Sequence, residues 1–345
     1  MLGLTPRVLF MLLLLPIALW TQDCAAARVK NDIPPRLQWT ANHGYCGEVA
    51  FISAGLYYGQ YVSQYDARAL ASPGVDQSSA NSQLLPGVND AATAARMHLQ
   101  AQPWNSTSTP DANAFLTWVK GNVLAGYPVI IGVYENMHVF EGTDDAEAGD
   151  PQYDHIVPVI GVSSKYPLTS PPHYYADDVL TLSDNGLWSP DGAPVYRYNF
   201  PFGEFQADRR EANAPARAVY SLPRGKQFGV AITGIIDHDG ETLPVRLWTD
   251  INAEEPAMAQ HASKRPASAP LKLTVTISGL QPNISYTLYR YDNFTAVPDA
   301  AFNAHASRAT RQWKITIKTG STYTLKETIC SDEVAVYRAV PDSAP

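Results

Sequence analysis

The order of apolar and polar positions predicts two helices in the first part of the chain. Residues 45–58 are apolar around most of the circumference of a helix, which is typical of a buried helix. A second helix is predicted over 110–125, because apolar residues recur there at i, i+3 and i+4 and Pro110 suits a first turn. Ser108 and Thr109 are its candidate caps.

Continuous apolar runs predict the central strands of a sheet. The runs at 128–133 and 155–162 have the length of strands and no alternation, as expected for strands that are covered on both faces. A third strand is predicted at 179–182, directly before Asp184.

The pattern changes after Pro223, where apolar and polar residues alternate with period two. The alternation is clearest at 272–277 and 313–318, and Pro and Gly turns separate such stretches. Residues 254–270 are rich in Ala, Ser and Pro and predict a long loop. The second part is therefore predicted to be an all-β, sandwich-like domain.

The N-terminus has the order of features found in secretory signal peptides. Arg7 precedes an apolar stretch at 8–20, and small residues follow at 25–27. We predict a signal peptide at 1–27 and a secreted or lumenal protein without a transmembrane segment. Three N-x-S/T sequons are compatible with glycosylation in an exported protein; they lie at Asn105, Asn283 and Asn293.

Length and charge limit the organisation and the partners. The chain has 345 residues, of which 45% are hydrophobic, and single cores tend to split beyond about 250–300 residues. We predict domains at 28–223 and 224–345, of which the first folds without the second. A net charge of −8 argues against a nucleic-acid partner. Neither a cofactor nor a metal ion is predicted.

The cysteine count leaves little room for a disulfide scaffold. Cys24 lies in the predicted signal peptide, so Cys46 and Cys330 would be the cysteines of the mature chain. Two interpretations remain open at this point. Cys46 could form a disulfide bond with Cys330, or it could be a reactive thiol.

The series Cys46, His155, Asp184 supplies a nucleophile, a base and an orienting group. Cys46 lies at the start of the first predicted helix, where unpaired N–H groups and the helix dipole favour a thiolate. His155 lies on a predicted central strand, and Asp184, with Asn185 as the alternative, follows another strand. Each residue alone has a commoner structural role; their ordered combination is typical of nucleophilic catalysis.

Other residues could share these roles. His138 and His43 are alternative bases, although the first lies in a less regular segment and the second is in the same turn as the cysteine. The backbone N–H of Cys46 could donate to an oxyanion. The side-chain amides of Gln38 and Asn42 are candidates for a second donor.

Three motifs resemble the papain superfamily of cysteine peptidases, most closely the branch that includes the bacteriocin-leader peptidases. They are Gln38-Trp39 ahead of Gly44-Tyr45-Cys46-Gly47-Glu48, the stretch 126–132 and the stretch 154–161. The resemblance implies a papain-like α+β domain with the cysteine helix packed on an antiparallel sheet. It also implies Cys46 as nucleophile, His155 as base, Asp184 as orienting group and Gln38 in the oxyanion hole. An insertion at 163–178 and the pair Gly47-Glu48 depart from the papain pattern.

These observations predict an exported, thiol-dependent peptidase that hydrolyses peptide bonds in a peptide or protein substrate. Acyl transfer to an amine would use the same residues. The alternative function is that of an inactive papain-like protein whose β domain recognises a protein or glycan partner, since a fold does not by itself determine function.

Overall fold

The structure is a computed structural model of the whole chain, and eight stretches of it are described. These are residues 27–39, 41–105, 111–135, 153–184, 197–205, 220–223, 226–250 and 265–342. Most of the predicted signal peptide and part of the predicted 254–270 loop lie outside them.

Four α-helices occur in the described residues: α1 (Cys46–Tyr57), α2 (Gln64–Ala71), α3 (Asp90–Arg96) and α4 (Ala112–Leu124). The first and last correspond to the two predicted helices. The cap of α4 differs from the prediction, because the carboxylate of Asp111 accepts the N–H groups of Asn113 and Ala114. Short 3-10 helices lie at Ala80–Ser82, Phe202–Glu204, Phe294–Ala296 and Ala306–Arg308.

The described strands number fifteen, and every pairing between them is antiparallel. They are β1 (Ala27–Lys30), β2 (Gln60–Tyr61), β3 (Leu99–Pro103), β4 (Val129–Glu135), β5 (His155–Ser164), β6 (Val179–Ser183), β7 (Arg197–Pro201), β8 (Tyr220–Ser221), β9 (Phe228–Ile235), β10 (Val245–Thr249), β11 (Pro270–Ser278), β12 (Ser285–Tyr291), β13 (Arg311–Thr316), β14 (Thr322–Cys330) and β15 (Ala335–Pro341).

The first sheet carries the candidate site. Its order is β3-β9-β4-β5-β6-β7, with β1 paired to β5 and β8 paired to β4. Alternate residues of the central strands enter two different cores: Ile156 packs with α1, whereas Val157 packs with α4. Because both faces of β4 and β5 are covered, these strands read in sequence as continuous apolar runs.

The second part of the chain is rich in β-structure. Its strands form a three-stranded sheet, β10-β11-β14, and, together with β2 of the first part, a four-stranded sheet, β13-β12-β15-β2. Alternate apolar residues of β11 and β12, such as Leu273 and Leu288, belong to one buried core. The architecture is thus mixed, with helices on an antiparallel sheet first and a β-rich part after it.

The first sheet extends beyond the domain boundary predicted after Pro223. That boundary falls between β8 and β9, and both of these strands pair with β4. In the opposite direction, β2 follows α1 in sequence but pairs with β15 in the β-rich part. The core on the α1 face continues from Ile156 to Val336 of that part. Each part therefore contributes a strand to a sheet of the other part, and the two parts share a core.

Among the described residues there is no helix with the length and apolar character needed to cross a lipid bilayer.

Candidate active site

Cys46 is the first residue of α1 and carries a free thiol. It is 9% exposed, and Cys330 is also a free cysteine, so the disulfide considered from the sequence is not formed. The first helical hydrogen bond runs from the Val49 N–H to the Tyr45 carbonyl at 2.9 Å. The N–H group of Cys46 precedes that bond and belongs to the first turn, whose N–H groups have no acceptor within the helix. This arrangement suits an oxyanion donor.

Three consecutive left-handed residues lead into the cysteine. Asn42, His43 and Gly44 have φ values of 52°, 66° and 79°. The left-handed region costs a non-glycine residue about 1–2 kcal/mol, so this run needs support from its surroundings.

Side chains from outside the loop provide that support by binding all three of its carbonyl groups. Arg68 of α2 donates to the Asn42 carbonyl at 2.7 Å and also to the Gly44 carbonyl. Gln83 donates to the His43 carbonyl at 2.9 Å. The conformation ahead of Cys46 is therefore held by side chains that lie 24 to 40 positions away from the loop residues they bind.

A buried ion pair holds the first turn of α1. The Nε of Arg68 lies 2.7 Å from a carboxylate oxygen of Glu48, and both side chains are 1% exposed or less. The same oxygen accepts the N–H of Leu84 at 3.0 Å. Burial raises the pKa of Glu48, and the Arg68 charge opposes this shift. The guanidinium also stacks 3.6 Å from the ring centre of Tyr45, so one arginine fixes the residues on both sides of Cys46.

Gly47 is a position without room for a side chain. A Cβ atom there would lie 1.9 Å from the carbonyl oxygen of Leu84 and 3.1 Å from Cδ1 of Ile156. The Gly47-Glu48 pair, which departs from the papain pattern, thus has a local reason in this chain. The contact also places the start of α1 beside the residue that follows His155.

His155 and Asp184 meet in a buried hydrogen-bonded chain. Nε2 of His155 lies 2.9 Å from Oδ1 of Asp184, and the Tyr220 hydroxyl donates to Oδ2 of Asp184 at 2.6 Å. His155 is 6% exposed, and the other two side chains are fully buried. An ionised Asp184 accepts a hydrogen bond from the Nε2–H group of His155. This selects the imidazole tautomer whose lone pair is on Nδ1.

Tyr220 is a residue of the site that no sequence motif indicates. It lies on β8, which has two residues, and 36 positions separate it from Asp184. Its sequence neighbourhood has no motif or periodicity that would single it out. Only the pairing of β8 with β4 brings its hydroxyl to the carboxylate.

The insertion at 163–178 does not displace Asp184 from His155. Residues 163 and 164 extend β5, and the end of the insertion is anchored to α4 by a buried ion pair, in which Lys120 lies 2.6 Å from Asp178. Pro172 packs against Gly121 of the same helix. The insertion is therefore fastened to the face of the sheet that carries α4, and β6 pairs with β5 with one register shift, between Val159 and Gly161.

Cys46 and His155 approach the sheet from different sides. His155 is paired with Val133 in the sheet. The series of hydrogen bonds from His155 through Asp184 ends at Tyr220, which belongs to the core on the α4 face. Cys46 belongs to the α1 core together with Ile156. Within the part of the chain that the structure describes, no hydrogen bond joins the Cys46 sulfur to the His155 ring. The structure thus brings the predicted base, His155, to the predicted orienting group, Asp184. It places the predicted nucleophile, Cys46, in the same core as Ile156, the residue after His155.

Gln38 lies on a segment that is held close to the cysteine loop. The side chain of Gln64 accepts the Trp39 N–H at 2.9 Å and donates to the Leu37 carbonyl at 3.0 Å. The Trp39 ring meets the Tyr45 ring edge-on, with centroids 5.2 Å apart. Gln38 itself is half-buried, and its Oε1 has no hydrogen-bond partner among the described residues. Its oxyanion-hole role remains a prediction.

The other candidates from the sequence have different outcomes. The Asn42 amide donates to the Tyr45 hydroxyl at 3.2 Å, so it supports the loop from within. His43 is exposed in the left-handed run. His138 and Asn185 lie outside the described residues. In the described stretches, no group of three or more His, Cys, Asp or Glu side chains could hold a metal ion.

Comparisons of the chain with protein-family models, curated proteins and solved structures found no match in any of the three.

Proposed function

We propose that this protein is a thiol-dependent peptidase of the papain-like type, with Cys46 as nucleophile, His155 as base and Asp184 as orienting group. The observation that supports the proposal most is the buried chain from His155 through Asp184 to Tyr220, together with a free cysteine at a helix N-terminus. A buried histidine held by a carboxylate is the arrangement that general-base catalysis needs.

The proposed reaction has two stages. The Cys46 sulfur attacks the carbonyl carbon of the scissile peptide bond, and His155 takes the thiol proton and delivers it to the leaving amine. The N–H of Cys46, with Gln38 as the second donor, stabilises the oxyanion. Water then attacks the thioester, which releases the carboxylic acid and returns a proton to the sulfur. Export through the predicted signal peptide belongs to the same proposal.

A recognition function without catalysis is the second candidate. The specific observation in its favour is that Cys46 lies in the core on the α1 face, whereas Val133, which pairs with His155, lies in the core on the α4 face. No hydrogen bond joins Cys46 to His155 in the described structure. In that case, the histidine–aspartate pair would be a structural element.

Thiol labelling separates the two candidates. With iodoacetamide at mildly acidic pH, we expect Cys46 to be alkylated before Cys330, because a helix N-terminus and an imidazole both stabilise a thiolate. Intact-mass and peptide mapping would measure both rates. His155→Ala should slow the alkylation of Cys46, and Cys46→Ala should abolish hydrolysis of a broad peptide library. Cys330→Ser is the matched control and should retain activity.

A second variant tests the tyrosine as a positioning residue. Tyr220→Phe removes the hydroxyl that donates to Asp184 and keeps the ring in the core. We expect kcat to fall about tenfold while KM stays unchanged, because a hydrogen bond to a charged group is lost without a change in the substrate site. Equal alkylation of Cys46 with and without His155, together with no hydrolysis by the wild-type chain, would favour the recognition function.

A further inference from the structure

A cleft of about 370 Å³ lies between the first sheet and the β-rich part. The ends of α1 and α4, the end of β9, the start of β10 and strand β15 surround it. We call it the tyrosine cleft. Four tyrosines and two arginines are among the residues that line it: Tyr57, Tyr58, Tyr127, Tyr337, Arg246 and Arg338. The Tyr337 side chain is fully buried, and its hydroxyl donates to Glu327. The volume of the cleft is within the range of small-molecule sites.

The tyrosine cleft has an excess of positive charge. Neither Asp nor Glu occurs among the residues that line it, although the chain as a whole carries a net charge of −8. A cleft lined by charges of one sign concentrates ions of the opposite sign.

Arg338 is buried without an anionic partner. It is 1% exposed and donates to three neutral oxygens, which are the carbonyls of Tyr58 and Tyr337 and the side-chain oxygen of Gln60, at 3.2, 2.9 and 2.9 Å. No carboxylate of the described residues forms an ion pair with it. Burial lowers the pKa of Arg338 to about 9, and the fields of Tyr291 and Asp237 oppose this shift.

The end of α1 balances part of this charge. The Tyr58 carbonyl lies at the C-terminus of the helix, where the dipole is equivalent to about half a negative elementary charge. The full positive charge of the buried Arg338 guanidinium is larger than this partial negative charge. Arg246 then adds a second positive charge at the cleft.

Arg246 is placed to meet a ligand. Its guanidinium lies over the ring of Tyr57, 4.2 Å from the ring centre, where a cation–π interaction holds it. The side chain is half-buried, and it forms no ion pair within the described residues. The Tyr57 hydroxyl is fixed by a hydrogen bond to the Gly126 carbonyl at 2.9 Å, so the stacked pair is preorganised.

We propose that the tyrosine cleft binds a small carboxylate attached to a ring. Arg246 would pair with the carboxylate in bidentate fashion, and the half-buried rings of Tyr58 and Tyr127 would stack on the face of the ligand ring. Two sources share this chemistry, an aromatic acid and an acidic sugar. The site is separate from Cys46, because α1 has twelve residues and spans about 18 Å between the two.

Isothermal titration calorimetry on the full mature chain tests the proposal. The probes are sodium 4-hydroxyphenylacetate, sodium D-glucuronate, D-glucose and sodium sulfate. We expect saturable 1:1 binding of one of the two ring carboxylates, and which of them binds identifies the source. Glucose, which lacks the charge, and sulfate, which lacks the ring, should bind much more weakly.

Arg246→Gln should weaken binding of that carboxylate about tenfold or more, because a charged, bidentate contact is lost. The control is Lys272→Gln, which removes one positive charge from an exposed position on β11 and should leave affinity unchanged. Unfolding curves without ligand show whether either variant disturbs the fold. Unchanged affinity in a folded Arg246→Gln variant would overturn the proposal. So would the absence of binding by both ring carboxylates, or sulfate binding as tight as theirs.

Discussion

Replacing Gly47 by alanine tests whether the close approach of α1 to Leu84 fixes the position of Cys46. The added Cβ would lie 1.9 Å from a backbone oxygen, which is 1.5 Å less than the 3.4 Å at which ordinary contact begins. A backbone carbonyl cannot rotate away as a flexible side chain can. The start of the helix therefore has to move.

The cost follows from two contacts. Overpacking in a buried site costs about 1–3 kcal/mol. Movement of the helix also stretches the 3.0 Å hydrogen bond from the Leu84 N–H to the Glu48 carboxylate, and a bond to a charged group contributes about 1.5–3 kcal/mol. Alanine regains about 1 kcal/mol of helix propensity. We expect the free energy of unfolding to fall by about 2–4 kcal/mol, and the alkylation of Cys46 to slow.

Urea unfolding followed by circular dichroism would measure the loss. Gly121→Ala is the matched control, because it makes the same change inside α4, where the nearest atom is a side-chain carbon of Pro172 at 3.1 Å. That variant should stay within about 1 kcal/mol of the wild type. If Gly47→Ala were as stable as the control, the close contact would not determine the position of the helix.

Two further predictions concern the junction between the first sheet and the β-rich part. Burial, and next the charge of Arg338, lower the pKa of His98 below its ordinary 6.5, although its hydrogen bond to Asp299 opposes them. Just below pH 6.5 the unfolded chain therefore binds more protons than the folded chain. The contribution of His98 to the free energy of unfolding is full above that pH and is lost as the pH falls through the folded-state pKa, by at most about 1.4 kcal/mol per pH unit. Between pH 7.5 and 5.5, the free energy of unfolding should decline less for His98→Asn than for the wild type. Asparagine is chosen because it tolerates the left-handed φ of 57° at this position. An equal decline in both proteins would contradict the assignment. The second prediction is that a fragment ending at Pro223 does not melt cooperatively, because it lacks β9, which lies between β3 and β4. A soluble fragment with a sharp thermal transition by circular dichroism would refute this.

Local patterns were sufficient to predict the elements around the candidate site. The helix predicted at 45–58 appears as α1, and the strand predicted at 155–162 appears as β5. Both are buried on nearly all sides, so the apolar character that excludes water is present in consecutive residues. Strands β2 and β8 are buried as well, but each has only two residues, which is too short for a pattern in the sequence.

The meeting of His155 and Asp184 was predictable in part. Each follows from its place on an apolar strand, and the two strands are neighbours in the sheet. The side of the sheet on which the imidazole lies was not predictable, because it depends on the pairing register, and a shift of one residue reverses every side chain.

The sequence by itself determined the cysteine at a helix start, the apolar strands and the alternating pattern of the β-rich part, since these depend on residues close together along the chain. The tertiary structure alone decided the rest. The left-handed loop ahead of Cys46 is held by Arg68, Asp184 is held by Tyr220, and β9 completes a sheet that began more than 100 residues earlier. These contacts join segments that are distant in the sequence, so no local window of sequence contains them. The entropy lost in closing the loops between these segments is offset only when the whole core forms.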